Sequence, residues 1–315
     1  MKKDFKVGLA LAGGGLQGFS HIGALKALEE LGIKVDYISG TSTGSIVAAL
    51  YAIGYTPDEI TKICKENYNK IFKPSKKLIL KIGINYFLHK ETRVEGLIDG
   101  QLITEFINKS ANKKGVKLIS DIQNKTVAIA TVDTTTMKEC IFISNKGKNN
   151  LDNIDYISDI SIGEAVRSSM AFPGIFTTSN YKNYNFIDGG TINNLPVGIL
   201  KEMGAEKTIA ISFDLNKYIP SKNMEGVILR ALDIFSLTSV KKGRMLSDIN
   251  VEIYNPDAAL ISIKDMKKTI ENGYNAVMNK RQEILSILDW KENNINDWFN
   301  YCRSWSCWNI SRAIC

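Results

Sequence analysis

Histidine is almost missing from this chain: among 315 residues there are two, His21 and His89. A nucleophilic triad in the order serine, acid, histidine has only His89 to end on. Its acid would be Asp58, Glu59 or Glu66, all crowded into one helix-like stretch, and that crowding argues against the ordinary arrangement. His21 falls on a helix behind a glycine loop and reads as a packed or capping residue, while His89 lies in a basic loop and reads as solvated. Long apolar runs are missing too, and no stretch can span a bilayer. The five cysteines lack zinc-site spacing and no His/Cys/Asp cluster is visible, so no metal or other cofactor is expected. Cys64 and Cys140 read as small core residues. No nucleic-acid-binding module is recognisable, so the net charge of +7 is read as affinity for an acidic membrane surface rather than for nucleic acid.

Glycine, by contrast, is plentiful and placed with purpose. Ala12-Gly13-Gly14-Gly15-Leu16-Gln17-Gly18 follows the apolar run Phe5 to Leu11 and opens a helix through His21 to Leu28. Such a turn offers backbone N–H groups and a helix N-terminus to negative charge. Gly40-Thr41-Ser42-Thr43-Gly44 follows Tyr37-Ile38-Ser39 and opens a helix at Ser45 to Leu50. This is the strand–turn–helix context of a nucleophile elbow, and Gly40 and Gly44 on either side of Ser42 let the backbone turn sharply.

The first loop also reads as Gly13-x-Gly15-x-x-Gly18, the dinucleotide-binding fingerprint, so a nucleotide-dependent enzyme is the rival reading. The fingerprint asks for an acid at the end of the second strand. Asp36 has the right separation but precedes Tyr37-Ile38-Ser39, at the wrong end for a ribose.

Without a histidine, Ser42 needs another base, and the candidate is Asp188 in Phe186-Ile187-Asp188-Gly189-Gly190. A short apolar segment delivers the carboxylate to a turn whose two glycines, Gly189 and Gly190, leave the backbone free to bend. If its strand neighbours that of Ser42 in a parallel sheet, the two groups meet. The alternative is an ordinary Asp-Gly turn.

The triple-glycine loop, the Gly-Thr-Ser-Thr-Gly elbow and the distal Asp-Gly-Gly together resemble the patatin-like phospholipases, specifically their bacterial members. Ala165-Val166-Arg167-Ser168-Ser169 leading to Pro173-Gly174-Ile175-Phe176, and Asp188 leading to Asn194-Leu195-Pro196, extend the likeness over about Val7 to Met203. The resemblance implies a serine–aspartate dyad and hydrolysis of phospholipid or other acyl-ester lipids. Carried over by position, Ser42 is the nucleophile, Asp188 the base, and the amides of Gly13, Gly14, Gly15 and Leu16 the oxyanion hole. One departure is that many members carry Arg or Lys shortly after the glycines, where this chain has Leu16-Gln17. An ordinary aspartate is a weak base at neutral pH, so the site should be desolvated, with Phe172, Phe176 and Phe186 as walls. A catalytically weak lipid-binding protein on the same fold is the non-enzymatic alternative.

Strand-like runs at Phe5 to Leu11, Tyr37 to Ser39, Thr126 to Val132, Glu139 to Ser144, Phe186 to Ile187 and Thr208 to Phe213 alternate with helical stretches. They predict an α/β fold, a three-layer α/β/α sandwich with a mainly parallel central sheet. Residues 1–203 form the catalytic domain on this reading. Residues 204–289 add a strand and helices to the same core, with helices at Asn223 to Asp248 and Asn272 to Leu288. Residues 290–315 are a separate tail holding all four tryptophans and Cys302, Cys307 and Cys315. Lys70 to Leu88 interleaves lysines with bulky apolar residues. It reads either as an amphipathic connection packed on the core or as a segment lying in a membrane interface. The N-terminal Met1-Lys2-Lys3 mimics a signal peptide, but Asp4 interrupts it and the apolar run that follows is short. The expected location is cytoplasmic, with peripheral membrane contact.

Overall fold

Val7–Leu11 is apolar at every position and buried at every position, as a strand covered on both faces must be. The computed structural model describes residues 5–71, 96–145, 154–214, 224–255 and 265–288, together with Leu80 and Ile84 singly. His89, most of the 70–88 segment and the 290–315 tail lie outside the described residues.

The strands are β1 (Val7–Leu11), β2 (Tyr37–Thr41), β3 (Gly96–Ile98), β4 (Thr126–Asp133), β5 (Lys138–Ile143) and β6 (Asp155–Ile157). They continue as β7 (Gly174–Phe176), β8 (Ser179–Tyr181), β9 (Tyr184–Asp188), β10 (Lys207–Phe213) and β11 (Ile249–Ile253). The helices are α1 (Ser20–Glu30), α2 (Thr43–Ile53), α3 (Pro57–Ile71), α4 (Gln101–Lys113) and α5 (Ile162–Ser169). After them come α6 (Val197–Glu202), α7 (Met224–Leu246), α8 (Met266–Asn279) and α9 (Arg281–Leu288).

The main sheet runs β11-β10-β1-β2-β4-β5-β6. It is parallel from β11 to β4. At β5 the direction reverses in a hairpin, and β6 runs parallel to β5. Alternate residues of β4 and β5 face opposite layers: Ala128, Ala130, Ile141 and Ile143 pack with Ile199 of α6, while Val127, Ile129, Cys140 and Phe142 belong to the larger core that includes Ile46 and Leu50 of α2. That alternation is the period of a strand buried on both sides. The predicted mainly parallel sheet with flanking helices is what the chain forms.

Two expectations are corrected. The helix expected over 272–288 is two, because α8 ends at Asn279 and α9 starts at Arg281. The break falls at Lys280, whose Nζ reaches across to the backbone oxygen of Asn250 at the sheet's edge. Secondly, β9 does not lie beside β2 in parallel; it pairs antiparallel with β4. The helix expected from Asn223 is α7, and Cys64 and Cys140 are buried, their thiols pushed up to about 12 mainly by desolvation.

Candidate active site

The antiparallel β9 is what brings the site together. One edge of β4 is taken by β5 from Ala128 to Asp133, so β2 and β9 must share the other. β2 occupies it up to Thr41, opposite Ala130, and β9 arrives from the opposite direction and ends at Asp188, opposite Thr131. The two strands meet end to end on neighbouring residues of β4, and the chain turns out of each at the same place. Ser42 follows the first end and Asp188 is the second.

Ser42 sits at φ 52° and ψ −126°, a conformation L side chains rarely adopt. Strain of this kind costs about 1–3 kcal/mol and persists only where the surroundings hold it. The surroundings here are specific. The Ser42 N–H donates to Ser169 Oγ at 2.9 Å, and Ser169 Oγ donates to the Ala130 carbonyl at 2.7 Å. Ser45 N and Oγ both donate to the Ser42 carbonyl. A Cβ on Gly40 would stand 2.6 Å from the Gly44 carbonyl oxygen, and one on Gly44 would stand 2.5 Å from the Leu11 carbonyl oxygen.

The glycine loop is stitched to this elbow. Thr43 Oγ1 donates to the Gly15 carbonyl at 2.6 Å. Gly13 lies so close that a Cβ there would be 3.1 Å from Ser42 Cβ and 2.5 Å from Asn194 Oδ1. Asn194 grips Gly13 twice, its Nδ2 donating to the Gly13 carbonyl and its own carbonyl accepting the Gly13 N–H at 3.2 Å. The Gly13 amide is therefore already committed, which separates it from the rest of the expected oxyanion set. The N–H groups of Gly14, Gly15 and Leu16 have no such partner among the described residues. Gln17, at the position where a basic residue was expected, closes the turn by donating its N–H to the Gly14 carbonyl.

Asp188 is buried, 3% exposed, and held by its backbone as well as its side chain. Its N–H donates to the Ala171 carbonyl, its carbonyl accepts from Thr191 Oγ1, and Oδ1 accepts the Gly190 N–H at 2.7 Å. Oδ2 is buried without a hydrogen bond of standard geometry. Burial pushes the carboxyl up to about 6, against the opposing influence of the Ser42 hydroxyl and the Gly190 N–H. The Ser42 hydroxyl is thus near enough to favour the carboxylate.

Of the three phenylalanines expected as walls, Phe186 stands two residues before Asp188 on the same strand, fully buried edge-on to Phe142. Phe172 is half-buried beside Ala171, and Phe176 lies under the Arg167 guanidinium. His21 is buried, its Nε2 within 2.8 Å of the Ala12 carbonyl, and desolvation lowers it to about 4. A ring so placed braces the glycine loop from behind. Asp36 accepts the Val7 N–H and pairs with Lys6 Nζ at 3.0 Å, at the far end of the strands from the glycine loop, where no ribose at that loop could reach it.

Sequence reasoning assigned no role to Ser169, Thr43, Asn193 or Asn194. Asn193 receives Thr41 Oγ1 on its carbonyl and donates its side-chain amide to Glu139 at 2.6 Å. The only hint in the sequence was that Ser169 and Asn194 fell inside segments matched for their pattern.

The sequence profile of the family described as patatin-like phospholipase matches residues 9–201. The uncharacterized protein YqhO of Bacillus subtilis is 26% identical over 218 residues, covering 68% of this chain and 73% of that one. Patatin-like phospholipase domain-containing protein 6 of Homo sapiens is 29% identical over 210 residues, 65% of this chain but 13% of that much longer protein. Among solved structures, VipD from Legionella pneumophila shares the fold with a TM-score of 0.52 at 14% identity, covering 88% of this chain and 66% of that one. Since the matched stretch runs from within β1 to within α6 and takes in the glycine loop, the elbow and the Asp188 turn, the chain belongs to the patatin-like phospholipase family.

Proposed function

We propose that the chain hydrolyses acyl esters of lipids, in the manner of a phospholipase A or lysophospholipase, through Ser42 and Asp188. The observation that carries the reading is the buried, open Oδ2 of Asp188 beside a serine held in a strained elbow. Ser42 Oγ attacks the ester carbonyl carbon while its proton passes to Asp188. The carbonyl oxygen becomes an oxyanion facing the amides of Gly14, Gly15 and Leu16, each donor contributing about 3 kcal/mol. Collapse of the tetrahedral species expels the alcohol, which takes the proton back from Asp188 and leaves Ser42 acylated. Water then gives a proton to Asp188 and its oxygen to the acyl carbon. A second collapse releases the fatty acid and returns the proton to Ser42. The scheme balances without metal or cofactor.

A carboxylate with a raised affinity for protons suits both halves of this cycle, since it can take a proton from serine and return it at near-neutral pH. The proposed substrate is phospholipid or a related acyl-ester lipid met at a membrane surface, with a cytoplasmic location. No helix among the described residues is long and apolar enough to cross a membrane.

The test is labelling by a fluorophosphonate probe, with Ser42→Ala as control, alongside hydrolysis of a p-nitrophenyl ester and of phospholipid vesicles. Labelling that Ser42→Ala abolishes, together with turnover of both substrates, is expected. Absence of labelling in folded protein would replace the hydrolase with a lipid-binding protein on the same fold.

A further inference from the structure

Helix α7 has two opposite faces with different business. Its inner face, Ser236, Val240 and Gly243, is buried. A Cβ on Gly243 would stand 2.5 Å from the Leu195 carbonyl oxygen, and Ser239 Oγ accepts the Asn194 N–H at 3.1 Å. The helix is therefore attached to the same asparagine that grips Gly13, and it also packs on the Gly189–Thr191 turn that follows Asp188.

The outer face is composed differently. Ile234 is 58% exposed, Phe235 65% and Met245 86%, and Thr238, Lys241 and Lys242 are exposed with them. At 100° per residue these six positions fall within an arc of about 120°, centred opposite the buried stripe. An ordinary solvent-facing helix would alternate acidic and basic residues there. From Ile234 to Leu246 this one has no acid, and the lysines share the arc with large apolar side chains. Lys242 also lies in the field of Glu139. Ile192, the residue after the Asp188 turn, adds a further exposed apolar group where α7 meets that turn.

Resting on the reading of the chain as a lipid hydrolase, we infer that the outer face of α7 is the surface by which the protein docks on an anionic membrane. Phe235, Ile234 and Met245 enter the acyl boundary while Lys241 and Lys242 meet lipid phosphates. Apolar groups flanked by lysines are what an interfacial helix needs, and neither class suffices alone. A second copy of the same face would set lysines against lysines, which disfavours self-association. Docking here would present the Asn194 and Asp188 side of the molecule to the bilayer. The 70–88 segment plays no part in the inference.

The test uses the full chain and vesicles of phosphatidylcholine with or without phosphatidylglycerol. Binding is read by co-sedimentation, and turnover of a soluble p-nitrophenyl ester serves as control. The pair Ile234→Ser/Phe235→Ser is expected to weaken vesicle binding at least tenfold at any salt concentration. The pair Lys241→Gln/Lys242→Gln should weaken it at least tenfold on vesicles with phosphatidylglycerol at low salt, and far less on phosphatidylcholine alone. Ester turnover should stay within about twofold in both pairs, because none of the four side chains touches the dyad. Wild-type binding by both variants overturns the inference, as does a loss of self-association with vesicle binding unchanged. If the wild-type protein hydrolyses neither substrate yet shows this binding pattern, the hydrolase reading fails and the docking surface stands. If it turns over the ester but does not bind vesicles, the hydrolase stands and the docking surface is overturned.

Discussion

His21 and Asp188 are both buried, and burial pushes each toward its neutral form, the histidine down to about 4 and the aspartate up to about 6. Each keeps one polar atom without a hydrogen bond, Nδ1 in one and Oδ2 in the other. The difference lies in what faces that atom. His21 has its Nε2 on the Ala12 carbonyl and its ring against Phe213. Asp188, by contrast, has the Ser42 hydroxyl as a polar neighbour that favours its carboxylate. Desolvation alone does not make a catalytic group; it must be paired with a free lone pair aimed at a proton that has to move.

The two groups also oppose one another in pH. The depressed His21 binds protons less well folded than unfolded, so its contribution to stability is present above about 6.5 and is lost as pH falls toward 4. The raised Asp188 binds protons better folded, so its contribution is present below about 4 and is lost as pH rises through 6. Each is worth on the order of 3 kcal/mol, and between pH 4 and 6 the two pH dependences run in opposite directions and nearly cancel.

The largest effect comes from removing one side of this balance. Asp188→Asn should lower kcat by at least about 10³-fold while making the protein more stable at pH 7, by up to about 3 kcal/mol in urea titrations. The gain should shrink as the pH approaches 4. A loss of stability at pH 7 would mean that Asp188 is a structural acid. Next comes Gly13→Ala, whose new methyl would press on both Ser42 and Asn194; about 10²-fold in kcat is expected, with a smaller change in KM. The smallest effect separates the two buried groups most cleanly. kcat/KM should rise with pH through a single limb near 6, set by Asp188. His21→Phe should cost about 1–3 kcal/mol through loss of the bond to Ala12 and leave that limb in place. A limb that moves by half a unit or more would show that His21 takes part in the proton transfer.

The elbow was legible in the sequence because its determinants are local: two glycines, a strand before and a helix after. Asp188 was legible as a residue but not as a position, since nothing in Phe186-Ile187-Asp188 says whether its strand runs with or against β2. The direction is decided by distant pairing with β4, which a strand's own residues do not encode. For the same reason Asn194 went unassigned. Its value lies in reaching Gly13, 181 residues away along the chain. Side chains that act by bridging remote loops leave little periodic trace.

Because Thr41 and Asp188 abut on consecutive residues of β4, that strand acts as a ruler for the spacing of Ser42 and Asp188. The gap between the end of β2 and the end of β9 is one step along its backbone, whatever length of chain is spent between them. Loops on the 43–183 path can therefore lengthen or shorten without resetting that spacing, whereas deleting a single residue inside β4 would shift both strand ends out of step at once.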